Sequence, residues 1–293
     1  MEELFNKCNI CPRECNVNRN KGEIGYCGAS NKIKIGGYHL HMWEEPIITG
    51  KNGSGTIFFS YCNLRCIYCQ NYDISINNNG TEISIEICLL LQEMGAENIN
   101  LVTPSHYIPL IREGLIMAKR KGLIIPIVYN TSGYDKVSSL KLLDGLIDIY
   151  LPDFKYYDKE LNKYSNVNNY FEITSEALKE MYRQVGRPVI KKGIMKRGVI
   201  VRHLVLPSHI DDSKRVIKYL FDNYGNNIYL SIMNQYTPIR RCKYLELNNR
   251  VSEEEYDEII DYAYDLGVRK CFVQDKESQE ESFIPVFKGD SVI

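Results

Sequence analysis

From residue 55 onward the sequence alternates between short apolar runs of β type and segments with helical spacing, and that order of elements sets the fold class. The runs at 56–60, 99–103, 124–129, 147–151, 199–206 and 228–233 are expected to be strands. Between them, Ile87, Leu90, Leu91 and Met94 fall on one face of a predicted helix, and Leu178, Met181, Tyr182 and Val185 on one face of a second. Ile217, Leu220, Phe221 and Tyr224 form a third set, which Gly225 stops. Ser252 through Glu255 read as a capping box that opens a last helix, with Tyr256, Ile259, Ile260 and Ala263 pointing inward and Gly267 ending it. Strands that alternate with helices run parallel through right-handed crossovers, which gives a (β/α) barrel or a doubly wound sheet. Pro126 argues against its own strand, because it removes a ladder donor.

Cysteines are crowded toward the front: seven of the ten precede residue 70. Such crowding points to metal chemistry rather than to a disulfide scaffold spread along the chain. Cys62-x3-Cys66-x2-Cys69 offers three thiolates from one tight loop. A [4Fe–4S] cluster takes four, so this loop leaves one iron without a protein ligand. A zinc knuckle needs a fourth donor, and nothing near the loop offers one. Cys8-x2-Cys11-Pro12-x2-Cys15-x11-Cys27 is a separate quartet in a stretch rich in Lys, Arg, Asn and Gly. Those residues cannot build a core, so a bound metal is the expected source of order. Zinc suits a closed set of four thiolates, a second iron–sulfur cluster serving as electron relay or substrate anchor is the rival, and disulfides are the third option. Cys88 and Cys271 read as buried small hydrophobes, and Cys242 as an exposed thiol.

The net charge of −1, with both signs interspersed, gives no polyanion-binding surface, so no nucleic-acid partner is expected. No apolar run approaches membrane-spanning length and the N-terminus lacks a signal-peptide profile. A cytoplasmic protein with reduced thiols is therefore expected. Residues 1–50 are read as the four-cysteine motif and a lid-like segment, and 51–293 as the barrel with a C-terminal helix–strand unit. The lid-like segment, His39 to Pro46, holds the single tryptophan; it either reaches over the barrel mouth or wraps its flank.

The cysteine loop with Tyr68 before its last cysteine resembles the radical S-adenosylmethionine (SAM) superfamily. Further segments widen the match to nearly the whole chain: Asn98 to Tyr107, Val128 to Tyr134, Asp148 to Tyr156, Val201 to Pro207 and Gln235 to Pro238. Together they resemble the group labelled pyruvate formate-lyase activating enzyme-like. The resemblance implies a partial (β/α)6 TIM-type barrel with its chemistry at the C-terminal strand ends. It also implies a [4Fe–4S] cluster and SAM as cofactors, with reductive cleavage of SAM to a 5′-deoxyadenosyl radical that abstracts hydrogen. The implied electron donor is a flavodoxin or ferredoxin. The implied substrate is a glycine of a partner glycyl radical enzyme, with a small metabolite or peptide as the alternative. Asp153 and Lys155 match the Asp-x-Lys pair of activases, where the lysine approaches the SAM carboxylate and the aspartate helps to hold a monovalent cation. Asn130 and Thr131 fall where activases carry Asp-Thr, so an amide replaces an acidic cation ligand. Thr103-Pro104-Ser105-His106 stands in place of Gly-Gly-Glu, and Tyr61 in place of the glycine before the cluster loop. Tyr68, Arg202 and His203 complete the candidate cofactor contacts. Arg202 and His203 are neighbours on one strand, so only one of them can face the lumen.

Overall fold

The computed structural model describes residues 2–77 and 79–274. Strand β1 (Lys34–His41) leads through a short helix α1 (Pro46–Thr49) into β2 (Ser54–Phe59). After the cysteine loop come α2 (Tyr72–Ser75), β3 (Thr81–Glu82), α3 (Ile87–Glu93) and β4 (Ile99–Val102). Next are α4 (Ile108–Arg120), β5 (Ile127–Thr131), α5 (Val137–Leu140), β6 (Ile149–Pro152) and α6 (Tyr170–Val185). The hairpin β7 (Val189–Lys191) and β8 (Ile194–Leu204) precedes α7 (Ile210–Tyr224), β9 (Tyr229–Met233), α8 (Glu253–Leu266) and β10 (Cys271–Val273). Among the described residues these strands form one open sheet in the order β10-β9-β8-β6-β5-β4-β2-β1-β3, with β7 paired to β8.

From β2 to β10 the path is parallel throughout, and β1 adds to β2 antiparallel. The fold is thus a partial (β/α) barrel that does not close. All six expected strands form. A seventh parallel strand, β10, is supplied by the C-terminal helix–strand unit. The conflict over Pro126 disappears because β5 starts one residue later. Pro126 uses only its carbonyl, accepting from Ile99 N over 2.9 Å, while Ile124 is exposed. The β7–β8 hairpin escapes the periodicity analysis. Its signal is Lys192-Gly193, both at positive φ (52° and 80°), the requirement of a tight hairpin turn.

Helix faces follow the expected pattern with adjustments. In α6, Leu178, Met181 and Val185 are buried and Tyr182 is half-buried; in α7, Ile217 and Leu220 carry the core contact. Helix α3 is shorter than its pattern suggests, so Cys88 and Leu91 are buried whereas Leu90 and Met94 are exposed. Cys271 and Cys242 are both half-buried rather than core and surface respectively.

Along the barrel strands, side chains alternate between the helix layer and the lumen. The lower lumen is apolar: Val128, Leu151 and Ile200 pack around Ile48 of α1, which is fully buried and plugs the barrel from below. Asn98 anchors this plug, donating Nδ2 to the Ile48 carbonyl over 2.8 Å and accepting from Ser54 Oγ over 2.6 Å. Two residues further along β5, β6 and β8 the lumen turns polar.

The N-terminal segment has more apolar anchorage than its composition suggested. Phe5, Ile10, Ala29 and Ile33 are buried in the same core as the barrel, and Ser139 Oγ of α5 donates to the Ile10 carbonyl over 2.6 Å.

The capping box on α8 is complete, with Ser252 accepting from Glu255 N and the Glu255 carboxylate accepting from Ser252 N. Replacing Ser252 with Ala should cost about 1 kcal/mol, as for other caps. Denaturant titration reads the loss as a lower midpoint at unchanged slope.

Candidate functional site

A cavity of about 260 Å³ opens over the C-terminal ends of the barrel strands. Phe58, Val102, Asn130, Asp153, Arg202 and Met233 line it, one from the end of each of six strands. That end of a β/α barrel is where ligand-handling side chains gather.

Arg202 is the centre of the polar layer. Its Nη2 donates to Asn130 Oδ1 over 2.5 Å, its Nε to Asp153 Oδ1 over 3.3 Å and its Nη1 to Glu44 Oε2 over 3.3 Å. Lys155 Nζ meets Asp153 Oδ2 at 2.7 Å. Burial alone would push the Asp153 carboxyl up, but Lys155 and Arg202 outweigh it and hold the group below its ordinary value. Lys155 likewise stays charged: burial opposes its charge, and Asp153 and the nearby Cys66 more than compensate. Glu44 goes the other way. Burial raises it, only partly countered by Arg202 and by Asn100, which donates Nδ2 to Oε1 over 2.8 Å. Gly133 lets the loop after β5 press on this layer: its φ is 78°, and a Cβ there would sit 2.3 Å from the Asp153 carbonyl.

The cysteine loop follows β2 directly and closes one side of the cavity through Cys66, Tyr68 and Cys69. Tyr61 and Arg65 both hold positive φ, 75° and 55°. Tyr61, which stands at the place of the activase signature's glycine, thus adopts a left-handed conformation that glycine takes without strain, and its N–H bonds to the Ile74 carbonyl over 2.7 Å. Two non-glycine residues in that region are strained, and strain of this kind collects at functional loops. The sulfurs are met by donors two residues on: Leu64 N–H reaches Cys62 Sγ over 3.4 Å and Asn71 N–H reaches Cys69. Cys66 Sγ shares a hydrogen bond of 2.9 Å with Ser165 Oγ. Burial pushes the free Cys66 thiol up to about 12, so a metal must displace its proton for the residue to act as thiolate. Among the described residues no three His, Cys, Asp or Glu donors close on one ion. Three sulfurs on one loop with N–H donors around them instead fit a multi-iron cluster.

Two expected cofactor contacts point elsewhere. His203 lies on the opposite face of β8 from Arg202, buried against the helix layer, where Nδ1 donates to the Phe154 carbonyl over 2.8 Å. Burial holds this imidazole down at about 4, hence neutral. Thr131 also faces outward, donating Oγ1 to Asp135 Oδ2 over 2.5 Å. The alternation of β5 and β8 thus selects Asn130 and Arg202. His106 is buried as well, donating Nε2 to the Ser60 carbonyl over 2.9 Å. In the Trp43 segment, β1 pairs antiparallel with β2, and Trp43 and Glu44 beyond it line the cavity. Glu44 and Asn100 were not singled out from sequence, although the period of β4 puts Asn100 on the lumen face two residues before Val102.

The Radical SAM superfamily model matches residues 56–220, more than half of the chain. The chain belongs to the radical SAM superfamily. It is an enzyme of that class. The uncharacterized protein MJ0674 of Methanocaldococcus jannaschii is 31% identical over 285 residues, covering 89% of this chain and 75% of the relative. A second uncharacterized protein of that organism, MJ0808, is 22% identical over 253 residues, covering 75% of this chain and 67% of the relative. Among solved structures, Streptococcus suis SuiB bound to its precursor peptide SuiA superposes with a TM-score of 0.50 at 14% identity, over 73% of this chain and 46% of SuiB. A domain of pyruvate-formate lyase-activating enzyme from Bacteroides vulgatus matches with a TM-score of 0.42 at 13% identity, over 58% of this chain and 92% of that domain.

Arg202 is the test of the polar layer. Replacing it with Met leaves Glu44 without its cation, while Asp153 keeps Lys155, and should cost about 3–5 kcal/mol, the loss typical of a buried charge stripped of its partner. Adding Glu44→Gln should recover part of that loss in a double-mutant cycle read by denaturation.

Proposed function

We propose that Cys62, Cys66 and Cys69 hold a [4Fe–4S] cluster and that SAM lies across the strand ends against Asp153, Lys155, Asn130 and Arg202. When bound, the cluster and SAM supply reductive cleavage of the sulfonium to methionine and a 5′-deoxyadenosyl radical that takes hydrogen from substrate. The observation that carries this proposal is the convergence of the cysteine loop and the Lys155–Asp153–Arg202 layer on one cavity, with Lys155 beside Cys66.

The chain's own groups then have defined tasks. Lys155, already charged and held by Asp153, is placed to take a carboxylate through a charge-assisted bond. Tyr68, with its hydroxyl 2.5 Å from that of Tyr156, fixes the wall beside Cys66. Arg202 contacts both Asn130 and Asp153, where the resemblance puts a monovalent cation; a fixed guanidinium here takes that place. The apolar plug under the polar layer closes the lumen from below, so substrate approaches from the strand ends.

A glycine presented by a partner polypeptide, as the resemblance to the activases implies, is the leading substrate. Trp43, 66% exposed at the rim, favours the second version, in which a small molecule or short peptide is covered during reaction. Reduced thiolates agree with a cytoplasmic setting and a flavodoxin- or ferredoxin-type donor.

Anaerobically reconstituted protein with SAM and dithionite should release 5′-deoxyadenosine and methionine in equal amounts. Replacing any one of the three loop cysteines with Ala should abolish both products. Continued turnover in the Cys66→Ala protein would refute the assignment of the loop. Lys155→Ala should weaken SAM binding by about 1.5–3 kcal/mol at unchanged iron content, as expected for loss of a charge-assisted hydrogen bond. Unaltered affinity in a titration would leave Lys155 as the partner of Asp153 alone.

A further inference from the structure

Two side chains join the cysteine quartet to the cysteine loop. Tyr26 donates its main-chain N–H to Cys15 Sγ over 3.3 Å and its hydroxyl to the Leu64 carbonyl over 3.2 Å. Leu64 in turn donates its N–H to Cys62 Sγ over 3.4 Å. Covalent and hydrogen bonds thus run without a break from a sulfur of one set to a sulfur of the other. Arg13 repeats the arrangement: its main-chain N–H meets Cys11, and its Nε donates to the Asn63 carbonyl over 2.8 Å. Its guanidinium lies 3.7 Å from the Tyr26 ring centroid, so the two links are stacked on each other. Arg65 of the loop completes the contact, donating to the Tyr26 carbonyl over 3.2 Å.

Among the described residues the quartet sulfurs, like those of the loop, do not close on a single ion, yet each is met by an N–H donor: Arg19 Nη1 at 3.9 Å from Cys8, Arg13 N at Cys11, Tyr26 N at 3.3 Å from Cys15 and Ala29 N at 3.5 Å from Cys27. A neutral thiol is a weak acceptor, whereas metal-bound thiolates are commonly met by such donors, which also tune the potential of an iron–sulfur cluster. At Cys11 and Cys27 the donor comes from two residues on, as it does at Cys62 and Cys69 in the loop. The two sets share a local pattern of donors, and the links between them end on the Asn63 and Leu64 carbonyls, between Cys62 and Cys66. Zinc has no redox chemistry and would draw nothing from such links.

We propose that Cys8, Cys11, Cys15 and Cys27 hold a second iron–sulfur cluster, and that Tyr26 and Arg13 couple it electronically to the cluster site at Cys62, Cys66 and Cys69. This deepens the proposed function and rests on its assignment of the loop. The step is a one-electron transfer. A low-potential protein donor is oxidised by one electron at the quartet, whose segment carries the exposed residues Glu14, Lys21 and Glu23. That electron passes to the loop site and is the one consumed when the SAM sulfonium bond is cleaved. No proton or group moves along the path.

The quartet is tested by itself in the protein carrying Cys62→Ala, Cys66→Ala and Cys69→Ala. After anaerobic reconstitution it should hold about four iron and four sulfide per chain, and dithionite should produce an electron paramagnetic resonance signal. Zinc without sulfide, or no metal, overturns the proposal, whatever the loop does in the unaltered protein. The path is tested with Tyr26→Phe, which keeps the ring and the N–H on Cys15 but removes the hydroxyl link. Both clusters should remain by iron content and spectrum. Reduction of the loop cluster by reduced ferredoxin, too large to enter the cavity, should slow by at least about tenfold, an effect of the size seen for outer-shell partners of metal sites. Reduction by dithionite, small enough to enter, should be unchanged. Arg13→Lys, which loses the Nε contact to Asn63, should give the same split. Equal ferredoxin-driven rates in both variants overturn the path. Loss of SAM cleavage with both clusters present and reducible would instead count against the proposed function and leave the second cluster standing.

Discussion

A guanidinium buried in a barrel lumen is costly, and the interior above the apolar plug is arranged to offset that cost. Arg202 draws together Glu44 from the turn after β1, Asn130 from β5 and Asp153 from β6. Each partner arrives on a different element, so the charge fixes how those elements sit relative to one another. Asp153 then positions Lys155, whose charge borders Cys66. The cavity floor is in this sense one connected polar network, and networks of this kind are rigid only while every member is satisfied.

A second point of order lies where the N-terminal segment docks behind the cysteine loop. Arg13, Tyr26 and Arg65 interlock there through cation–π contacts and hydrogen bonds to backbone carbonyls. The loop is strained at Tyr61 and Arg65, and this packing from behind, with Ile74 accepting from Tyr61 in front, supplies the counterforce that holds it.

The sequence made the alternation of elements legible because parallel strands and amphipathic helices impose different periods, and the caps on α7 and α8 follow from Gly225 and from Ser252 with Glu255. The cysteine loop was legible because its three donors are adjacent in the chain. Arg202 and Glu44, 158 positions apart, carry no local signal that they meet. The choice between Arg202 and His203 was open for the same reason: alternation says the two diverge, but the neighbouring apolar residues suit either face. Asn130 and Thr131 were both read as cofactor contacts, and the alternation of β5 brings only Asn130 to the lumen. Pro126 misled only about a boundary, since a residue with a carbonyl and no N–H can precede a strand as easily as it can disrupt one. The N-terminal segment was judged too polar to have a core because its few apolar residues, Phe5 and Ile10 among them, pack into a core built elsewhere in the chain.

Trp43 is the single tryptophan of the chain and stands at the rim of the cavity, largely open to solvent. An indole in that position is a native optical reporter. Its emission depends on how much water surrounds it, so any occupant that draws the rim inward shifts the intrinsic fluorescence of the whole protein. Candidate substrates can therefore be screened on unlabelled protein, before any turnover is detected.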